Sequence, residues 1–293
     1  MKNYRVQKSV KETIIYICMI IFALIALVPV WILLINATRS TKQINAGLSL
    51  LPSVHAFHDW TDPVTGAVTK SNWHALTDRG FKIALGFKNS IIISALSTLF
   101  NVYFSALTAY AIHIYRFKGR KLLWGVVMTL IMLPASLSFI GFYQFMAKIH
   151  LTNTYIPLIV PSIAAAGTVL FMKQYLESIL SLELIEAARI DGENEFMIFN
   201  RIVLPVIKPA LATQAIFGFV ASWNNFMTPF VLLSKTEKYT LPMLVQMLRG
   251  DIYRTEYGGI YLGIAISLVP IIIFYIFMSR FIISGLTMGS VKE

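Results

Sequence analysis

Charged residues are scarce in this chain: Asp, Glu, Lys and Arg make up 13% of its 293 residues, against about a quarter in an ordinary soluble domain. Hydrophobic residues account for 57%, and the mean hydropathy is +0.69. Charge is absent altogether from residues 13–38, 89–115, 122–147, 149–172, 209–234 and 258–279. Each of these stretches exceeds the roughly 20 residues that an α-helix needs to cross a bilayer. The sequence therefore predicts an all-α integral membrane protein with six transmembrane helices.

The predicted spans also lack the side chains that ion-driven carriers use. No Asp, Glu, Lys or Arg lies inside them, and His113 and His150 fall at span ends. A carrier driven by protons or sodium normally holds such a group in its helices. Ion-coupled secondary transport is therefore the weaker alternative, although backbone carbonyls at broken helices can bind Na⁺. A membrane-embedded enzyme would need acid, base or nucleophilic residues that converge within the spans, and the sequence indicates no such set.

Motifs for nucleotide and metal chemistry are missing as well. No G-x-x-x-x-G-K-[ST] loop occurs, so the chain has no phosphate-binding loop for ATP. The single cysteine, Cys18, lies inside the first hydrophobic stretch and excludes an intramolecular disulfide. His55, His58, Asp59 and Asp62 lie close together in the following loop. Four residues in an unsupported loop are weak evidence for a metal, and no metal site is predicted.

The net charge of +11 is concentrated beside the predicted spans. The first span is preceded by Lys2, Arg5, Lys8 and Lys11, and the short link after the second span holds Arg116, Lys118, Arg120 and Lys121. The longer loops 39–88 and 235–257 hold ten more Lys and Arg between them. Lys and Arg beside spans mark the cytoplasmic side. The charges therefore predict that both termini face the cytoplasm and that residues 39–88 and 235–257 are outer loops. They indicate contact with membrane lipid rather than nucleic acid.

A charged segment at residues 177–208 interrupts the hydrophobic pattern on the predicted cytoplasmic side. Its nine charged residues are Glu177, Glu183, Glu186, Arg189, Asp191, Glu193, Glu195, Arg201 and Lys208. Ser181 is a candidate N-cap for a first helix, with Glu183 in the first turn. Asp191 and Gly192 form a turn signal. The segment therefore predicts two short helices joined by a turn.

The second of these helices has an apolar face in the sequence pattern. Its predicted members are Phe196, Met197, Phe199, Ile202 and Val203, which recur at helical spacing. Pro205 and Pro209 follow, and proline inside a helix removes a backbone donor and clashes with the preceding turn. The sequence therefore predicts that the helix is interrupted where the chain returns to the bilayer.

The same segment carries a family signature with every spacing intact. It consists of Glu186-Ala187-Ala188, then Gly192, then Ile202, Leu204 and Pro205. With this pattern the chain resembles the permease subunits of binding-protein-dependent ABC importers. The runs "LTNTYIPLIVP" (151–161), "WNNFMTPFVLL" (223–233), "YTLPMLV" (239–245) and "SGLTMGSVKE" (284–293) are similar to the carbohydrate-uptake branch. Within that branch, these runs resemble those of the second membrane subunit of maltose-type permeases.

The resemblance implies a type I ABC importer fold with three parts. Residues 1–86 would form a cytoplasmic tail, the first helix and a long extracellular loop. Residues 87–284 would form a core of five helices with the coupling loop 177–208, and residues 285–293 a cytoplasmic tail. The implied partners are a second, non-identical permease, two ATPase subunits and an extracellular or periplasmic sugar-binding protein, in a bacterial cell membrane. ATP and Mg²⁺ would bind the ATPase, and this chain would hold no cofactor and catalyse nothing.

The resemblance also implies roles for individual residues. In the family the coupling loop sits in a cleft of the ATPase. This role falls to Glu186, Ala187, Ala188, Asp191, Gly192, Ile202, Leu204 and Pro205. The tail residues Gly285, Leu286, Thr287, Gly289 and Ser290 either enter the ATPase interface or fray as an ordinary terminus.

Two further sets of residues leave alternatives open. The fifth predicted span, 209–234, contains Gln214, Trp223, Asn224, Asn225 and Phe226. Their amides and rings suit a sugar path, but polar side chains in lipid also bond across helices. In the second outer loop are Arg249, Asp251, Tyr253 and Arg254. These residues either dock the sugar-binding protein or belong to a solvated loop.

Overall fold

The computed structural model describes residues 2–61, 64, 66–77, 82–133, 135–249 and 256–289. Within these ranges the chain is almost entirely helical. The first helices are α1 (Lys2–Ala37), α2 (Thr41–Asn45), α3 (Asn72–Thr77) and α4 (Ile83–Ile114). A short antiparallel hairpin, β1 (Trp60–Thr61) and β2 (Val68–Thr69), precedes α3 and pairs Trp60 with Thr69.

The second half of the chain is more broken. After α4 come α5 (Arg120–Met132), α6 (Ala135–Lys148), α7 (Ile156–Ile159), a 3-10 helix (Val160–Ala164) and α8 (Ala166–Ile179). Then follow α9 (Leu182–Ile190), α10 (Glu195–Met197), a π-helix (Ile198–Val203), α11 (Leu204–Val206) and α12 (Lys208–Trp223). The last elements are α13 (Met227–Leu232), a 3-10 turn (Thr236–Lys238), α14 (Leu241–Arg249) and α15 (Tyr257–Gly289).

The long apolar helices agree in part with the predicted spans. Helices that are long and apolar enough to cross a membrane, among the described residues, are Glu12–Ala37, Ile83–Ile114, Ile156–Ile179 and Tyr257–Phe281. A fifth candidate is the pair Glu195–Val206 and Lys208–Trp223, whose arms are bent by 81°. The all-α character is therefore confirmed, and the number of six spans stays a prediction.

Two predicted spans are interrupted rather than continuous. Residues 122–147 form α5 and α6, of 13 and 14 residues, and each is too short to cross a bilayer as one straight helix. α5 ends two residues before Pro134, because the residue preceding a proline is biased away from the helical region. Residues 209–234 likewise form α12 and α13, separated by residues 224–226.

Residues 1–81 and 245–268 form one compact unit. Asn72 begins α3, is buried, and donates from Nδ2 to the main-chain oxygens of Ala37 at 2.8 Å and Arg39 at 3.0 Å. Gly258, in the first turn of α15, packs so closely that an added Cβ would lie 2.2 Å from Asn72 Oδ1. Glycine is therefore required where α15 begins beside these bonds.

The loop between α2 and α3 contains His55, His58, Asp59 and Asp62, for which no metal site is predicted. His74 Nδ1 lies 2.9 Å from Asp59 Oδ1, which also accepts a bond from Ser71 N at 2.7 Å. The bonds from His74 and Ser71 lower the pKa of Asp59 to about 2. Asp62 lies outside the described residues. Among the residues that are described, no three potential metal ligands come together.

Residues 82–244 and 269–293 form the second unit. Its core lies between α4, α8, α9, the π-helix and α12. Fully buried members include Tyr110, Met172, Ile185, Phe199 and Ile207. α4 packs along both α8 and α12, and the charged segment at 177–208 is built onto this core.

Candidate functional site

The charged segment begins with a capped helix, as predicted. Ser181 has an extended backbone (φ −79°, ψ 149°), and its Oγ accepts a bond from Leu184 N at 3.4 Å. Glu183 lies in the first turn of α9. Bonds from its own backbone N–H and from the Ser181 hydroxyl lower the pKa of the Glu183 carboxyl. The carboxylate is thus placed where the helix dipole favours negative charge.

α9 has a buried face and an exposed face. Ile185 and Ala188 are buried in the core, whereas Glu186 and Ala187 are exposed. Ile190, at the end of the helix, is 85% exposed. The E-A-A residues therefore divide between the two faces: Ala188 secures the helix, and the other two are accessible to another molecule.

The turn after α9 has the predicted conformation. Asp191 is the C-cap, and its N–H bonds to the carbonyl of Ala187 at 3.0 Å. Gly192 has φ +82°, in the left-handed region that glycine adopts without steric cost. A Cβ at Gly192 would meet nothing within 4 Å. The backbone angle alone therefore favours glycine, and the surface beside the turn is open.

The second helix of the segment changes its winding before Pro205. Asn194 caps α10, and its Oδ1 accepts a bond from Met197 N at 2.9 Å. The chain then widens into the π-helix, in which the N–H of Leu204 bonds to the carbonyl of Phe199. A π turn of this kind is a recognised way to accommodate a local break in helical bonding, and the proline that follows cannot donate.

The predicted interruption at Pro205 and Pro209 is confirmed. α11 ends at Val206, Ile207 leaves the helical conformation (φ −92°, ψ 11°), and α12 begins at Lys208. The two arms meet at 81°. The signature residues Ile202 and Leu204 are half-buried at this bend, and Pro205 is exposed. The end of the signature thus coincides with the point where the charged segment joins α12.

The apolar face differs from the prediction at one member. Phe196 is 68% exposed, whereas Ile198, which the predicted face omitted, is fully buried. The other four predicted members are buried or half-buried. Phe196 lies in the short α10, whereas Ile198 and Phe199 begin the π-helix that packs into the core.

An ion pair and aromatic contacts fix the segment to the end of α4. Arg189 Nε lies 2.7 Å from Glu195 Oε1, and the Tyr115 hydroxyl donates to the other oxygen of Glu195. The bond from Arg189 lowers the pKa of the Glu195 carboxyl. The ring of Phe199 lies 5.4 Å from that of Tyr110. The segment is therefore held against the end of α4 by a hydrogen bond and by aromatic packing.

Sequence reasoning assigned no role to this ion pair. Arg189 and Glu195 are six residues apart, outside the three- and four-residue spacings that meet on one helix. They meet because the turn at Gly192 reverses the chain. The tyrosine that joins them is distant in sequence, and no pattern within the segment could have indicated it.

Gln214 and Trp223 of the predicted sugar path lie on α12. Gln214 is half-buried. Trp223 is 1% exposed, and its ring stacks on Phe219 at a centroid distance of 5.7 Å. Trp223 therefore has a packing role in this structure, and a sugar contact stays a prediction.

The other predicted sugar-path residues surround the break between α12 and α13. Asn224 is the exposed C-cap of α12. Asn225 Oδ1 accepts a bond from Thr228 N at 3.2 Å, which holds the start of α13. Phe226 is half-buried, with its ring 5.0 Å from that of Phe230. The side chains of Asn225 and Phe226 have local partners, and the role of all three residues toward a sugar also stays a prediction.

The remaining predicted sites lie largely outside the described residues. Arg249 ends α14, but its side chain is not among those described, and Asp251, Tyr253 and Arg254 are outside the described residues. α15 continues as one helix through Gly285, Leu286, Thr287 and Gly289, whose side chains are likewise not described. Ser290 lies beyond the described part. The docking and tail roles stay predictions.

Residues 101–287 match the sequence model of a family described as "Binding-protein-dependent transport system inner membrane component". The chain is 36% identical to the arabinooligosaccharides transport system permease protein AraQ of Halalkalibacterium halodurans. That alignment spans 272 residues and covers 92% of each chain. It is 29% identical to the trehalose/maltose transport system permease protein MalG of Thermococcus litoralis, across 98% of this chain and 99% of that protein.

The fold is also similar to a solved structure. A chain in the crystal structure of a bacterial ABC transporter involved in the import of the acidic polysaccharide alginate superposes with a TM-score of 0.75. The alignment covers 92% of this chain and 96% of that one at 23% identity. The resemblance inferred from the signature at residues 186–205 is confirmed by the family match and the relatives together.

Proposed function

Because the chain belongs to the family of binding-protein-dependent transport system inner membrane components, we propose that it is a permease subunit of an ATP-driven ABC importer for a carbohydrate, specifically an oligosaccharide. The names of the relatives support the substrate class, since AraQ is described for arabinooligosaccharides and MalG for trehalose and maltose. Which sugar is carried depends on the binding protein that delivers it.

The single observation that carries the proposal is the geometry of the coupling loop, residues 177–208. Its signature residues Glu186 and Ala187 are exposed, and its turn glycine has φ +82° with open space beside it. The same loop is tied to α4 through Tyr115 and Phe199. This combination suits an element that docks on another protein and transmits its movement to the membrane helices.

The proposed mechanism is alternating access driven by a separate ATPase. ATP and Mg²⁺ bind the ATPase subunits, whose closure moves the coupling loop. The loop moves α4 through the Glu195 and Phe199 contacts, and α12 through the bend at Ile207. The pore then changes from inward-open to outward-open, and hydrolysis resets it. This chain transmits force and forms part of the path, and it catalyses no reaction.

The proposed assembly has four kinds of contact for this chain. It pairs with a second, non-identical permease, and the two permeases rest on two ATPase subunits. A sugar-binding protein delivers substrate from the extracellular or periplasmic side, and lipid of a bacterial cell membrane surrounds the spans. The proposal includes six spans with both termini in the cytoplasm, which places the coupling loop there. Charge placement supports this orientation, because cations cluster beside the predicted cytoplasmic ends.

Coexpression with a candidate ATPase tests the proposal. We expect the chain to copurify with the ATPase and the second permease, and the reconstituted complex to hydrolyse ATP faster when the loaded binding protein is added. An ion-coupled secondary sugar transporter is the alternative. Sugar uptake that persists after deletion of the ATPase and stops when an ionophore collapses the ion gradient would establish that alternative instead.

A further inference from the structure

A small polar cavity lies where α4 meets the break between α12 and α13. Its volume is about 10 Å³, close to the roughly 10–15 Å³ at which a cavity admits one water molecule. Hydroxyl and amide side chains line it from three parts of the second unit: Ser90 and Ser94 from α4, Ser222 and Asn225 from the end of α12 and the break, and Thr240 from the position before α14. Such a lining favours a polar occupant.

Two of these hydroxyls are buried without a hydrogen-bond partner in the described part of the chain. Ser94 and Thr240 are 1% and 4% exposed, and neither side-chain oxygen is bonded. A buried polar group without a partner costs free energy, so native proteins satisfy nearly all such groups with protein atoms or ordered water. The two hydroxyls therefore require a partner that this chain does not supply.

Other polar groups around the cavity are already bonded. Ser90 Oγ accepts a bond from Leu241 N at 2.8 Å. Asn225 Oδ1 accepts a bond from Thr228 N, and Asn225 Nδ2 donates to Thr228 Oγ1, each at 3.2 Å. These bonds hold the wall of the cavity in place around the two unpartnered hydroxyls.

The chemistry of the lining selects a neutral ligand. Among the described residues that line the cavity there is no Asp or Glu, so a bound cation would have no carboxylate to balance its charge. The same residues include no Lys or Arg for an anion. Burial of an unbalanced charge is costly. A buried water molecule is neutral and makes about three hydrogen bonds, so it can satisfy both hydroxyls and one further group.

We propose that this cavity holds one ordered water molecule, which bridges the hydroxyl of Ser94 on α4 and the hydroxyl of Thr240 before α14. The ring of Phe87 on α4 lies 5.7 Å from that of Trp223 at the end of α12, so the same part of the unit is also held by aromatic packing. The water adds a polar link to this packing and fixes the residues around the α12–α13 break against α4.

Cryo-electron microscopy of the chain, with the partners that copurify with it, tests the site directly. The sample is prepared in sodium buffer and in potassium buffer, at a resolution that shows other buried waters. We expect one density peak roughly 2.5–3.0 Å from both Ser94 Oγ and Thr240 Oγ1, the distance of an O–H···O bond, in both buffers. Absence of the peak would refute the proposal. A peak found only in sodium would replace the water by a cation and refute it equally.

Variants at the two hydroxyls test the bridge through stability. Ser94→Ala and Thr240→Val should each lower the Tm of the purified complex by about 2–4 °C, the effect of one hydrogen bond. The double variant should lose less than the sum, because a single bridge is broken once. Without a bound water the sign reverses, since replacing an unpaired buried hydroxyl by an apolar group is neutral or stabilising. An unchanged or raised Tm in both single variants therefore contradicts the proposal.

Thr98→Val is the matched control. Thr98 lies one turn after Ser94 on α4 and is buried, and its hydroxyl likewise has no hydrogen-bond partner among the described residues, but it does not line the cavity. This variant should keep the density peak and should not lower the Tm. Loss of the peak while Ser94 and Thr240 are intact would show that these two hydroxyls do not hold it. None of these results bears on the proposed transport function, which depends on the ATPase and on sugar uptake.

Discussion

Gly119 and Gly192 hold left-handed backbone angles of +96° and +82°, and a Cβ at either position would meet nothing within 4 Å. Their conformational requirements are therefore nearly the same. Their places in the chain differ, since Gly119 precedes α5 and Gly192 is part of the signature in the coupling loop. Matching substitutions at the two glycines therefore separate two effects: the free-energy cost of a non-glycine residue at this backbone angle, and the effect of a changed docking surface.

Replacement of Gly192 by Asp should uncouple transport without preventing membrane insertion. A non-glycine residue in this region costs roughly 1–2 kcal/mol, and Gly119→Asp bears the same cost. Only Gly192→Asp adds an unpaired carboxylate to the proposed interface, so we expect sugar uptake to fall about tenfold or more. Uptake of labelled sugar, normalised to the amount of permease in the membrane, measures the effect. Equal uptake by the two variants would remove Gly192 from the interface.

At the scale of elements, the π-helix decides which residues join the coupling loop to the core. Phe199 is 1% exposed and packs against Tyr110 on α4, whereas Phe196, three residues earlier, is 68% exposed. Sequence spacing placed both on the same apolar face. The structure separates them, since Phe196 lies in α10 and Phe199 lies in the π-helix that packs into the core.

Phe199→Ala should therefore destabilise the chain, whereas Phe196→Ala should not. Removal of a buried phenylalanine costs about 3–5 kcal/mol, and a surface substitution usually changes stability by less than about 0.5 kcal/mol. Thermal unfolding of the purified complex in detergent measures both. If the two variants unfold at the same temperature, the assignment of Phe199 to the core is wrong.

At the scale of the whole molecule, function depends on which side of the membrane the coupling loop occupies. The charge distribution predicts the cytoplasmic side, and the proposed contact with an ATPase requires it. The chain contains one cysteine, Cys18, so a Cys18→Ser background permits single introduced cysteines to report sidedness.

Cysteine labelling should place the two loops on opposite sides. Ala187 in the coupling loop and Leu51 in the predicted outer loop are both exposed. In the Cys18→Ser background, a membrane-impermeant maleimide should label Leu51→Cys in intact cells and Ala187→Cys only in inside-out vesicles stripped of the ATPase. Labelling of Ala187→Cys in intact cells would contradict both the orientation and the proposed mechanism.

The helical fold and much of the coupling loop could be predicted because they depend on local chemistry. Charge-free runs specify helices in lipid, since the backbone has no other partner there. Ser181, Gly192 and Pro205 act through the backbone of their immediate neighbours, and the cap, the turn and the break are where the sequence placed them. The continuous helices predicted at 122–147 and 209–234 were wrong in detail, because hydropathy alone does not show where a helix stops.

The sequence by itself thus determined the membrane class, the signature and the conformation of its turn. Only the tertiary structure decided that Glu195 meets Tyr115 as well as Arg189, and that Phe199 packs against Tyr110. The physical reason is sequence separation. A cap or a turn is satisfied within a few residues, whereas these contacts form only when distant helices pack together.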